Sequence, residues 1–136
     1  MTGYWPFNGP STDAVQQSIQ SNPQLNPYAQ NWLIALRNGD ANTMLSIEKN
    51  LPASVTPPDA GLLAGEYSQK AGMTWNAVNV ISTSTAADGS QDTVVEVNMT
   101  LPASQGGTKI IVLWHFATYQ NTLLGIDFIS ARPSLQ

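Results

Sequence analysis

A chain of 136 residues has the length of one domain and can bury enough surface to fold without a disulfide or a metal. Only 10% of its residues are charged, the net charge is −4, and the five cations stand singly at Arg37, Lys49, Lys70, Lys109 and Arg132. That pattern offers no basic patch for nucleic acid or for an anionic membrane surface, and the absence of cysteine excludes disulfides, thiolate metal sites and a cysteine nucleophile.

Uncharged polar residues fill the charge deficit: 12 Ser, 12 Thr, 11 Asn and 10 Gln. Such a weakly charged, hydrogen-bonding surface points to an exported bacterial protein, so the expected location is extracytoplasmic. Residues 1–10 lack the basic-then-apolar order of a signal peptide, so any signal or anchor is expected outside this chain. No stretch approaches the ~20 apolar residues of a membrane span.

Along the chain, residues 1–10 place Tyr4, Trp5 and Phe7 among Gly and Pro, an arm able to pack on its own core or on a partner. Residues 11–20 read as a short helix capped by Ser11 or Thr12, with Val15 and Ile19 on one face. A stronger helix is expected over 27–38. Asn26 is a suitable cap, Pro27 fits the first helical position, and Ala29, Trp32, Leu33 and Leu36 form a buried stripe. Gly39 closes that helix, and Asp40 caps another with Met44, Ile47 and Leu51 inward. A fourth helix is expected over 59–70, with Leu63 and Tyr67 inward and Glu66 paired with Lys70 outward.

From residue 73 the apolar period changes to two. Residues 74–83 form a first strand, and Ala87-Asp88-Gly89-Ser90 a hairpin turn. In the second strand Val95, Val97, Met99 and Leu101 point one way, against Val94, Glu96, Asn98 and Thr100. Residues 108–118 are apolar on both faces, which predicts a central strand covered on both sides. Leu124, Ile126 and Phe128 line one face of a last strand ending near Ser130. The expected class is α+β, with 1–25 an arm and short helix, 26–132 the domain and 133–136 a tail. N-terminal helices would pack on a curved antiparallel sheet of four or more strands.

The stretch from Trp32 to Asp40, a helix ending in Arg-Asn-Gly-Asp before a second short helix, and the closing hairpin of residues 108–130 resemble the nuclear transport factor 2-like (cystatin-like) superfamily. The resemblance covers about residues 26–132 and is one of pattern. It implies a cone-like sheet wrapped around the helices. It also implies either a small-molecule pocket at the open end or a sheet face that binds protein. Superfamily members include cofactor-free isomerases and dehydratases as well as non-enzymatic domains, and fold alone does not choose between them.

An enzyme of this kind would need a buried general base, for which His115, Asp127 and Glu96 are the strand candidates. His115 is the single histidine and cannot build a multi-histidine metal site, so no metal or other cofactor is expected. Whether His115 and Asp127 share a face depends on the hairpin register. The preferred reading is structural: a partly buried histidine and an Asp at the sheet edge. Glu96 reads first as a solvated side chain. Tyr28, Trp32, Tyr67, Trp75 and Trp114 are candidate pocket aromatics, with core packing as the alternative. The leading expectation is a non-catalytic binding or scaffold domain that recognises a protein partner or forms a homodimer through its sheet or through Tyr4, Trp5 and Phe7. The alternative is a small-molecule pocket protein with an apolar ligand, or an isomerase or lyase using His115 or Asp127.

Overall fold

A computed structural model describes residues 13–136 of the chain. Four helices, α1 (Ala14–Gln20), α2 (Pro27–Asn38), α3 (Ala41–Glu48) and α4 (Ala60–Tyr67), precede four strands, β1 (Thr74–Thr85), β2 (Gln91–Thr100), β3 (Lys109–Tyr119) and β4 (Thr122–Pro133). The strands form one antiparallel meander in the order β1-β2-β3-β4. This is the expected α+β architecture, helices first and sheet second. The aromatic arm of Tyr4, Trp5 and Phe7 lies outside the described residues.

Local chemistry sets the helix ends. The Asn26 side chain accepts from the Tyr28 amide at 2.7 Å, with Pro27 at the first helical position. Gly39 ends α2 with φ 71°, a left-handed conformation that favours glycine, and a Cβ there would lie 2.9 Å from Lys70 Cδ. Asp40 then caps α3 through the Thr43 amide at 3.1 Å and the Thr43 hydroxyl at 2.6 Å. The chain therefore reverses between α2 and α3 within two residues.

Several boundaries differ from the sequence expectation. The cap of α1 is Asp13, which accepts from the Gln16 amide at 2.9 Å; Ser11 and Thr12 lie outside the described residues. The helix expected over 59–70 stops at Tyr67. Ser68 breaks it and caps a short 3-10 turn, Gln69–Ala71, so Glu66 and Lys70 lose helical spacing and form no ion pair. In β4 an extra residue at Leu124 shifts the register, and Leu123, not Leu124, joins Ile126 in the core. The same strand runs on to Pro133. β3 lies between two neighbours, as expected of a central strand, but only one of its faces is covered by helices among the described residues. On the other, Ile111, Leu113 and His115 are half-buried with no described helix over them.

One apolar core joins the helices to that single sheet face. The strands contribute Trp75, Val78, Val95, Val97, Met99, Val112, Trp114, Phe116, Leu123 and Ile126. Trp32 of α2 meets Trp114 edge-on at 5.3 Å between ring centroids and Phe116 at 5.8 Å. Such pairs contribute about 0.5–1.5 kcal/mol each beyond the area they bury. The Arg37 guanidinium, 5% exposed, donates to Asp13 at 2.8 Å and ties α2 to the cap of α1.

One buried acid goes against the apolar pattern. Glu48, 6% exposed, accepts from the Trp32 indole at 2.9 Å through Oε2, while Oε1 has no partner among the described residues. Burial pushes its carboxyl above the ordinary range; the Trp32 bond opposes this and the Asp59 charge adds to it. The raised folded-state pKa means that ionisation costs stability as pH rises above the unfolded value, until the folded group has also ionised. Glu48→Gln keeps an acceptor for Trp32 and removes the charge. Its stability relative to the parent is expected to improve by about 1 kcal/mol between pH 4 and pH 7. Urea denaturation at the two pH values checks this, and an unchanged difference would show that Glu48 does not ionise at a cost.

Candidate functional site on the open face of the sheet

The residues proposed for chemistry meet on the sheet face that no described helix covers. Alternation along β3 sends Val112, Trp114 and Phe116 into the core and His115 the other way. In the β3–β4 ladder His115 pairs directly with Asp127, so the register places both on one face. The His115 ring accordingly meets Asp127 Oδ2 at 2.9 Å through Nδ1. Its Nε2 meets Asp92 Oδ1 at 2.7 Å. Asp92 pairs with Ala117, two residues along β3, and reaches His115 diagonally across the ladder.

Asp92 was not among the sequence candidates. The signal existed, since the β2–β3 hairpin puts Asp92 within two residues of the position opposite His115, but only a fixed register makes it readable. Glu96 lies on the same face beside Leu113. It does not touch His115.

The geometry limits what His115 can do. With a carboxylate on each ring nitrogen, the favoured form is an imidazolium donating in both directions across three strands. That form has no lone pair with which to take a proton. Partial burial pulls the His115 pKa down, but the hydrogen bonds to Asp127 and Asp92 and their charges outweigh it, leaving the value above the usual 6.5.

The aromatic candidates separate by position. Trp32 and Trp114 are enclosed in the core, and so is Trp75, whose indole donates to the Tyr67 carbonyl at 2.7 Å. Tyr28 is exposed on the first turn of α2. Tyr67 stacks on Phe128 at 6.1 Å and borders an open groove of about 440 Å³ with Met73, Leu101, Ile110 and Pro133. A second open groove of about 440 Å³ lies at the opposite end of the exposed face from His115, beside Asn98, Lys109, Ile111 and Arg132. Among the described residues no group of three or more acidic, histidine or cysteine side chains is placed to hold a metal. No described helix is long and apolar enough to cross a membrane.

No family model matches the sequence, and no curated protein matches it. Among solved structures, the chain is similar to the Orange Carotenoid Protein of Anabaena (Nostoc) sp. PCC 7120 binding canthaxanthin, at 14% identity and a TM-score of 0.48. The match covers 76% of this chain and 36% of that one, so this chain spans about a third of that protein's length.

The Asp92–His115–Asp127 cluster has a testable pH signature. Because the folded His115 pKa is raised, its contribution to stability is full below pH 6.5 and is lost as pH rises through the folded value. Proton NMR titration of the His115 ring should give a pKa above 6.5, lowered in both Asp92→Asn and Asp127→Asn. Each change should cost about 0.5–1 kcal/mol at pH 6, fading at alkaline pH. A ring that titrates alike in parent and variants would mean that the two carboxylates do not hold it.

Proposed function

We propose that this chain is a non-catalytic binding domain of nuclear transport factor 2-like architecture that works outside the cytoplasm and engages a protein surface through the open face of its sheet. The observation that carries the reading is the division of the sheet into two unlike faces. One is solidly filled by Trp32, Trp114 and Phe116, leaving the strand titratable groups no enclosed site. The other presents Val94, Ile111 and Leu113 half-buried between polar neighbours. A mixture of apolar centre and polar surround is the ordinary anatomy of a protein interface. His115, with both ring nitrogens engaged, serves that face as a cross-strand tie rather than as a base. The helix order, the Gly39–Asp40 reversal and the closing hairpin support the architecture. The low charge and the excess of Ser, Thr, Asn and Gln support the location.

A photo-reactive phenylalanine at position 113, compared with one at the exposed position 42 on α3, tests the reading in cells that express the protein. Cross-linked protein adducts are expected from position 113 and not from 42. Adducts from neither position, or equally from both, would remove the sheet face as the binding surface.

A second reading is favoured by one feature, the stacked Tyr67–Phe128 pair beside the groove at the sheet's end, whose lining mixes Tyr67, Met73, Leu101 and Ile110 with Glu66, Gln105 and Arg132. There a small apolar ligand would lie against Tyr67, Met73 and Ile110. That reading expects a fluorescent apolar probe to bind saturably, and Tyr67→Ala to weaken it about tenfold. Linear, non-saturating uptake by both proteins would eliminate it.

A further inference from the structure

The groove at the end of the open face away from His115 gathers groups of both charges around an aliphatic floor. Glu96 and Asn98 of β2, Lys109 and Ile111 of β3 and Arg132 of β4 all border it, in a space of about 440 Å³. The ladder sets their places. Ile111 pairs with Asn98 on one side and with Arg132 on the other. Lys109 stands one row beyond Ile111, opposite Thr100, and Glu96 one row the other way, opposite Leu113. The cations and the acid therefore occupy opposite corners, with half-buried Ile111 between them. None of Glu96, Lys109 and Arg132 is ion-paired with another described residue. Arg132 gives one N–H to the Pro133 carbonyl at 3.1 Å and keeps the other donors of its fork for a ligand. Ser134, whose amide donates to the Lys109 carbonyl at 2.9 Å, borders the groove beside the cations.

We infer that this groove binds a short peptide with free ends, its α-carboxylate on Arg132 and Lys109, its α-ammonium group on Glu96 and an apolar side chain against Ile111. The signs of the charges set the class of ligand. A simple anion would meet the like charge of Glu96, and a simple cation those of Lys109 and Arg132, whereas a ligand carrying both charges suits both corners. The spacing sets its length. Rows on one face are ~6.8 Å apart and strands ~4.8 Å apart, which puts the Glu96 and Arg132 backbones ~12 Å from each other. With both side chains standing off the sheet, a dipeptide ~7 Å long and a charge-assisted bond of ~2.8 Å at each end span about that distance. A single amino acid falls one residue short, by ~3.5 Å. Asn98, in the row between the corners, supplies a donor and an acceptor for the peptide group of the ligand. The Asp92–His115–Asp127 cluster stands ~14 Å along β3 from Ile111, beyond the ~8 Å screening length of physiological salt, so it does not set the charge of the groove. The site takes a small ligand at one end of the face and stands whether or not the half-buried centre at Leu113 meets a protein.

Titration of the full chain with the dipeptide Leu-Leu, followed by backbone amide NMR shifts, tests the site. Leu-Leu is expected to bind saturably at low salt with a Kd of about 1 mM or tighter, and to move the amides around Asn98, Ile111 and Arg132 most. N-acetyl-Leu-Leu lacks the ammonium group and Leu-Leu-amide lacks the carboxylate; each should bind about tenfold more weakly, as should leucine alone. Two substitutions assign the ends. Arg132→Gln should weaken Leu-Leu about tenfold and leave the affinity for Leu-Leu-amide as it is in the parent. Glu96→Gln should weaken Leu-Leu by a similar factor and leave the affinity for N-acetyl-Leu-Leu as it is. Far-UV circular dichroism checks that both variants keep the fold. Shifts that stay linear in Leu-Leu up to ~20 mM, shifts centred elsewhere, blocked dipeptides that bind as well as the free one, or substitutions that weaken free and blocked ligands alike would overturn the inference. Cross-linking from position 113 reports on the protein-binding surface alone, so failure of one reading is distinguishable from failure of the other.

Discussion

The edge-on contact of Trp32 with Trp114 and Phe116 holds the two halves of the molecule together. Trp32 sits in the middle of α2, the longest helix, and its ring reaches the core face of β3, an inner strand of the sheet. Its indole nitrogen also ties α3, by donating to Glu48. A single side chain thus links two helices to the sheet. The cost is a carboxyl group buried with one oxygen unpaired. The enclosed rings of Trp32, Trp114 and Phe116 fill the space between α2 and β3.

The sheet is asymmetric in a second way. The β2–β3 ladder is regular, whereas the outer ladders carry register shifts, at Asn76 and Ile81 on β1 and at Leu124 and Ile129 on β4. Bulges bend and twist an edge strand and blunt it against further strand pairing. Growth of the sheet at its edges is thereby discouraged. The β2–β3 ladder at the centre of the sheet keeps an unbroken register. The Asp92–His115–Asp127 bridge spans three strands there and keeps the acidic end of the face ordered without burying an unpaired charge.

Most of the described carboxylates take part in local structure. Asp13, Asp40 and Asp59 cap helices, and Asp92 and Asp127 hold a histidine. Arg37 is committed to Asp13. Glu96, Lys109 and Arg132 of the open face border one shallow groove together with Asn98 and Ile111.

The sequence by itself determined the order and type of the elements, because that information is local. The caps at Asn26 and Asp40, the stop at Gly39 and the change from a period near 3.6 to a period of two at residue 73 each depend on residues a few positions apart. Tertiary structure alone decided how the strands register, since register is a long-range alignment in which one slipped residue inverts a face. The bulge at Leu124, which hands its core position to Leu123, has no mark in the apolar pattern, and neither does the diagonal reach of Asp92 to His115. Burial of Glu48 was equally invisible, because nothing in helix periodicity announces that an indole sixteen residues earlier will donate to its carboxylate. Strand 109–119 reads as apolar on both sides, yet only packing fixed which side the helices occupy and left His115, and the charges in line with it, facing outward.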